Sequence, residues 1–189
     1  MTTGSTPSQT VGPFFSFALP IEGGDRLVAD DDPAAIRIEG RLFDGAGEPV
    51  ADALLEVWQA NAAGRYAHPE DARDDVPLQP GFTGFGRVPT DAQGRFAFTT
   101  VKPGPVPWPD GRAQAPHLEV SVFARGLLDR LVTRIYFPDE DAANAADPAL
   151  SGIAHPAARA TLVAVDEGDR RLRFDIHLQG DRETAFFDV

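Results

Sequence analysis

Ala35-Ile36-Arg37-Ile38-Glu39-Gly40-Arg41-Leu42-Phe43 runs straight into Asp44-Gly45-Ala46-Gly47-Glu48-Pro49. Ile36, Ile38 and Leu42 alternate with Arg37, Glu39 and Arg41, which is the period of a strand with one dry face and one wet face. Gly40 stands where another Ile or Val would fit. The Gly-rich and Asp-rich run behind it is a turn. This strand-and-turn grammar repeats along the chain. Ala53–Ala60 reads as a second strand, with Leu55, Val57 and Gln59 on one face and Leu54, Glu56 and Trp58 on the other. Arg95–Thr99 reads as a strand entered from the turn Asp91-Ala92-Gln93-Gly94. In His117–Ala124, Leu118, Val120 and Val122 face one way, and His117, Glu119, Ser121 and Phe123 the other. Leu131–Phe137 is a further strand. Thr161–Asp166 and Arg171–Leu178 suggest a hairpin across Glu167-Gly168-Asp169-Arg170.

The remaining segments are irregular. Ala67–Pro89 has no periodicity and reads as a long loop, and loops of that length in a compact domain tend to be functional. Pro103–Pro109 is proline-dense and must be extended or turned. Asp139–Leu150 is a short helix candidate. Seven or more short strands, long loops and one or two short helices make an all-β chain. The expected architecture is an antiparallel β-sandwich. One domain is expected over residues 1–189, with an N-terminal arm over about residues 1–17. In that arm Thr10-Val11-Gly12-Pro13 leads into Phe14-Phe15-Ser16-Phe17. Such a cluster of rings either packs on its own core or docks on a partner.

Composition narrows the function classes. The chain has 189 residues, enough for one domain with a real core. It has no cysteine, so disulfides and thiolate metal sites are excluded. Its formal net charge of −12 and lack of basic runs argue against nucleic acid and anionic membrane surfaces. The polar start, Met1–Gln9, does not read as a secretory signal, and no apolar run approaches a membrane span. A soluble cytoplasmic protein is the default expectation.

Phosphate-loop, dinucleotide-binding, nucleophile-elbow and His-Glu-x-x-His motifs are absent. His117 and Glu119, two apart on a strand, point to the same face. They suit either two metal ligands side by side or a plain His–Glu hydrogen bond. Tyr66 is either a tyrosinate ligand at a strand end or a packed ring with an exposed hydroxyl. Arg134, in mid-strand, forms a structural ion pair or clamps a carboxylate. His68 is a loop residue, and His155 and His177 read as surface histidines.

Several of these residues also resemble a known pattern. Ile38-x-Gly40-x-Leu42, Gly47, Val50, Leu55-Glu56-Val57 and Gly64-x-Tyr66 are similar to the signature of the intradiol ring-cleavage dioxygenases. The likeness continues through Asp91-x-x-Gly94-x-Phe96-x-Phe98, Lys102-Pro103-Gly104-Pro105 and Leu131–Phe137. The ending, Arg173-Phe174-Asp175-Ile176 through Phe186-Phe187-Asp188, resembles the alpha chain of a two-chain member. That resemblance implies a ferric centre held by two tyrosines and two histidines. Tyr66 falls on the first tyrosine and His117 on the first histidine. Val106 and Glu119 fall on the other two ligands, and Gln114 on an arginine of the catalytic chains. Two of four ligands are therefore lost.

The resemblance accordingly implies a non-catalytic alpha subunit. The Fe(3+) of the assembled enzyme would be carried by a homologous beta subunit, paired in a heterodimer and a larger oligomer. The small aromatic substrate would be 3,4-dihydroxybenzoate. It would be opened with O2 to 3-carboxy-cis,cis-muconate in the beta-ketoadipate route of aromatic catabolism. Thr10, Gly12, Pro13 and Arg134 would line the substrate pocket of the partner's site. Two rivals remain at this stage. One is an autonomous metalloenzyme using Tyr66, His117 and Glu119, and the other a non-enzymatic β-sandwich binding module.

Overall fold

The computed structural model describes Thr10, Gly12 and residues 15–188. The expected arm falls only partly among them, since Val11, Pro13 and Phe14 lie outside the described residues.

Two sheets stack face to face. In the first, β1 (Ala35–Phe43) pairs antiparallel with β4 (Arg95–Val101) along one edge. Its other edge carries β10 (Arg171–Arg173) and then β11 (Ile176–His177), and both run parallel to β1. β9 (Val165–Gly168) closes that side as the antiparallel hairpin partner of β10. The second sheet is antiparallel throughout, in the order β3 (Phe85–Pro89), β2 (Leu54–Trp58), β7 (His117–Phe123), β8 (Leu131–Tyr136). A small ribbon, β5 (Val106–Pro107) with β6 (Ala113–Gln114), lies outside both sheets.

The alternation read from the sequence is the alternation of the core. Ile38, Leu42, Phe98, Leu172 and Ile176 of the first sheet meet Leu55, Val57, Leu118, Val120, Val122 and Ile135 of the second. Burying such side chains stabilises the fold by about 1.5–3 kcal/mol each before chain entropy is counted. Gly40 breaks the pattern for a steric reason. A Cβ there would run into the Phe174 carbonyl and stand 2.9 Å from the Phe96 ring tip.

Several expectations need correction. Ala67–Pro89 is not loop to its end, because Phe85–Pro89 forms β3 on β2. Thr161–Ala164 is not a strand, so the final hairpin is shorter than expected and begins at Val165. The helix expected over Asp139–Leu150 is two helices, α2 (Asp141–Ala146) and α3 (Pro148–Gly152), broken at Asp147 by the following proline. With α1 (Phe15–Ala18) and α4 (Pro156–Ala160), the described residues hold four short helices rather than one or two. The helices α2–α4 stand over the outer face of the second sheet. There Ala115, Tyr136, Leu150 and Leu162 form a second, smaller core.

Candidate functional site

The outer face of the second sheet carries the chemistry-bearing residues. His117 and Glu119 point out from β7, with Tyr136 and Arg134 directly opposite them on β8. Trp58 of β2 is the neighbour of Glu119 on the other side. The turn at Gly64 brings Tyr66 to the same face. Gly64 has a φ of 82°, and its Cα lies against the Pro105 carbonyl with no room for a side chain. Tyr66 is thus on a loop beyond the turn, not at a strand end, and its ring stacks on Trp58 at 5.7 Å and 8°.

Around Tyr66 the loop is tightly cross-linked. Asp71 accepts the Tyr66 amide at 2.8 Å and the Arg73 Nε at 2.7 Å. Arg73 also donates to the Gly64 carbonyl at 2.7 Å. Hydrogen bonding to Arg73 holds the Asp71 carboxyl well below its usual range. Burial pushes the Tyr66 hydroxyl up to about 12, and the Glu119 carboxylate adds to the rise. A shallow cleft of about 720 Å³ opens here between Trp58, Tyr66, His68, Arg73 and Val106.

Val106 is buried in β5 and pairs across the ribbon with Gln114. Gln114 turns its Oε1 to Arg134 Nη1 at 2.8 Å. The same nitrogen lies 3.3 Å from the Tyr136 hydroxyl, and Arg134 Nη2 reaches Glu119 Oε1 at 2.9 Å. The Phe187 ring sits 5.6 Å from the guanidinium carbon. Arg134 is therefore the hub of a polar network that ties β6, β7 and β8 together. Its side chain is only 13% exposed.

His117 is buried, and its Nδ1 contacts the Ala115 carbonyl at 2.7 Å. Its Nε2 has no hydrogen-bond partner and stands 4.0 Å from Glu119 Oε1. Burial pushes its pKa down to about 4, with the Arg134 cation acting in the same direction. The imidazole is neutral at pH 7, so its approach to Glu119 is no ion pair.

These residues do not fit a ferric centre. Val106 has no donor atom, and the Glu119 carboxylate is engaged by a guanidinium. Among the described residues, no three His, Asp or Glu side chains converge on one point.

The other sequence candidates lie elsewhere. Thr10 Oγ1 accepts the Gly126 amide at 3.0 Å, on the loop after β7. Phe15 is 4% exposed, so this ring of the arm packs on its own chain. His68 lies edge-on to Trp58. His155 is exposed before α4. His177 is not a plain surface residue, because it stacks on Phe43 at 4.8 Å. Asp147 escaped the sequence reading. This fully buried carboxylate accepts from Ala149 and Leu150 amides at 2.9 Å, capping α3. It also accepts from the Ala115 amide at 2.8 Å and the Tyr136 hydroxyl at 3.1 Å. The Asp147-Pro148 pair, an N-cap followed by proline at the first helical position, was its signal.

Comparison with known proteins agrees with this geometry. A family model described as Dioxygenase matches residues 10–180. The protocatechuate 3,4-dioxygenase alpha chain of Burkholderia cepacia is 45% identical over 201 residues, covering 97% of both chains. The beta chain from the same organism is 44% identical over 153 residues, covering 77% of this chain and 64% of that one. The structure of hydroxyquinol 1,2-dioxygenase from Pseudomonas putida DLL-E4 superposes with a TM-score of 0.60 at 25% identity. That match covers 94% of this chain and 67% of the other. A relative that it matches along nearly its whole length is an alpha chain, and the chain belongs to the intradiol ring-cleavage dioxygenase family.

Proposed function

We propose that this chain is the non-catalytic alpha subunit of a protocatechuate 3,4-dioxygenase, and that the iron of the enzyme resides in a homologous beta chain. The observation that carries this reading is the state of the chain's own centre. The chain is similar to an alpha chain over nearly its whole length, Val106 and Glu119 fall where the resemblance implies ligands, and Arg134 bonds the latter. An autonomous metalloenzyme built on Tyr66, His117 and Glu119 is disfavoured by that same arginine.

The complex opens 3,4-dihydroxybenzoate with O2 between its hydroxyl carbons, a step of aromatic catabolism carried out in the cytoplasm. This chain's contribution is wall and support. Thr10 and Gly12 line the partner's substrate pocket, and the Thr10 bond to Gly126 anchors that end of the chain. Arg134 stiffens the wall through Gln114, Glu119 and Tyr136 rather than offering a free guanidinium to the substrate carboxylate.

Oxygen uptake tests the reading. With 3,4-dihydroxybenzoate, the co-purified pair consumes oxygen and either chain alone does not. Uptake by this chain alone contradicts it.

A further inference from the structure

The outer face of the first sheet gathers arginines in a chain whose net charge is −12. Arg37 and Arg41 of β1, Arg95 of β4, and Arg171 and Arg173 of β10 alternate with core residues and are exposed. The acids among them are already engaged. Asp175 accepts the Arg41 amide at 3.0 Å and Arg173 Nη1 at 2.6 Å. Glu167 accepts Arg173 Nε at 2.8 Å, and Glu39 stands 3.6 Å from Arg37 Nε. Asp91, whose carboxylate feels both Arg41 and Arg95, is taken up by the Gln93 and Arg95 amides at 2.8 and 2.9 Å. Arg41 and Arg95 stand directly opposite each other across β1 and β4. Among the described residues, neither guanidinium makes a hydrogen bond or a close ion pair. Like charges directly opposite destabilise a sheet, and an anion set between them relieves the repulsion. The residues outside the described set carry no Asp or Glu side chain, so that anion comes from another molecule.

The geometry points to a docking surface: the outer face of the first sheet receives a carboxylate-rich segment of a partner protein, with one carboxylate clamped between Arg41 and Arg95. A guanidinium fork matches a carboxylate in shape and charge. The face is too wide for one small anion. Three strands at their usual spacing cover about 10 Å, and Arg37 and Arg41 are about 13 Å apart along β1. A cleft of about 710 Å³ runs across it, lined by Arg37, Arg41, Phe43, Arg95 and Arg173. The negative net charge of the whole chain repels extended polyanions such as nucleic acid, whereas a short acidic segment feels mainly the local arginines. The inference goes beyond the alpha-subunit reading and uses the sheet opposite the one that carries Trp58, Tyr66 and Arg134.

The test uses the full chain and a fluorescein-labelled peptide of alternating Glu and Ser, read by fluorescence anisotropy. Arg41→Gln with Arg95→Gln is compared with Arg112→Gln with Arg125→Gln, which removes the same charge from exposed arginines elsewhere. The first pair is expected to weaken binding about tenfold, the worth of two exposed ion pairs, and the second to leave it nearly unchanged. Both pairs are expected to fold, and Arg95→Gln alone to unfold at no lower a Tm than the unaltered chain, because a repulsion is removed. Equal losses in the two double variants overturn the inference, as does no binding by the unaltered chain or a lowered Tm for Arg95→Gln. Displacement of the peptide by inorganic phosphate, at an ionic strength where chloride does not displace it, assigns the face to a small anion and overturns it too. Self-association that is lost in Arg41→Gln with Arg95→Gln makes a second copy the occupant and likewise overturns it. Oxygen uptake by the two-chain complex is read separately, so the alpha-subunit reading stands or falls on its own measurement.

Discussion

Val106, Gln114 and Glu119, the three positions at which the resemblance implies departures from the family pattern, are neighbours of one another in the fold. Val106 pairs with Gln114, and Gln114 and Glu119 share the Arg134 guanidinium. Restoring two of the ligands therefore does not rebuild a catalyst. The double variant Val106→Tyr, Glu119→His is expected to show at most about one hundredth of the turnover of a catalytic chain. Gln114 still replaces a charged donor, and losing one such positioned donor costs about a hundredfold or more. Steady-state oxygen uptake checks this. Tyr66 gives an independent readout, because the chain has only 2 tyrosines. Burial raises Tyr66 to about 12 and pushes Tyr136 up as well. Neither is expected to yield phenolate below about pH 11, and ultraviolet titration should show a flat baseline to that point. The sign for stability follows. The unfolded chain loses these protons from about pH 10 while the fold retains them, so stability falls as pH rises from about 10 through 12. The ligand losses at Val106 and Glu119 are implied only by the resemblance to the family pattern. The role of Arg134 was not legible in the sequence, since its partners sit 15 and 20 residues away in the chain and only the register of β7 on β8 brings them together.

Elements were legible where alternation was strict. β1, β2, β7 and β8 appear within two residues of their expected bounds, and Leu118, Val120 and Val122 face the core as read. β3 was hidden because Gly86 and Pro89 dilute the pattern of a five-residue strand. The parallel pairing of β10 and β11 with β1 was hidden because a local hairpin signal says nothing about which distant strand it joins. Gly40 shows the same limit, since its need for a bare Cα comes from the Phe174 carbonyl far along the chain. Gly40→Ala is expected to cost more than about 3 kcal/mol, as backbone in mid-sheet must shift. Chemical denaturation of the two-chain complex measures it. Asp147→Ala removes a helix cap and leaves the Ala115 amide and Tyr136 hydroxyl buried without that partner. A loss of about 2–4 kcal/mol is expected, seen as a Tm drop of about 5–15 °C. Asp147→Asn, which keeps an acceptor oxygen, should lose less.

At the scale of the molecule the chain keeps a family sandwich whose second sheet still presents its outer face as a site. That face now holds an arginine-centred network, with Trp58, Tyr66 and His68 beside an open cleft. The core alternation, the all-β class and the likeness to the family were all available from sequence. The packing of Phe15 on its own chain was open between two readings until the fold was known. In the proposed reading this chain completes another chain's site, and the distribution of iron between the chains is the property that decides it. Iron content and the visible spectrum should be measured on this chain purified alone and on the complex with its beta partner. The account predicts a colourless, iron-free chain and a coloured complex with iron in stoichiometry with the beta chain. Stoichiometric iron and a visible charge-transfer band in the isolated chain would contradict it.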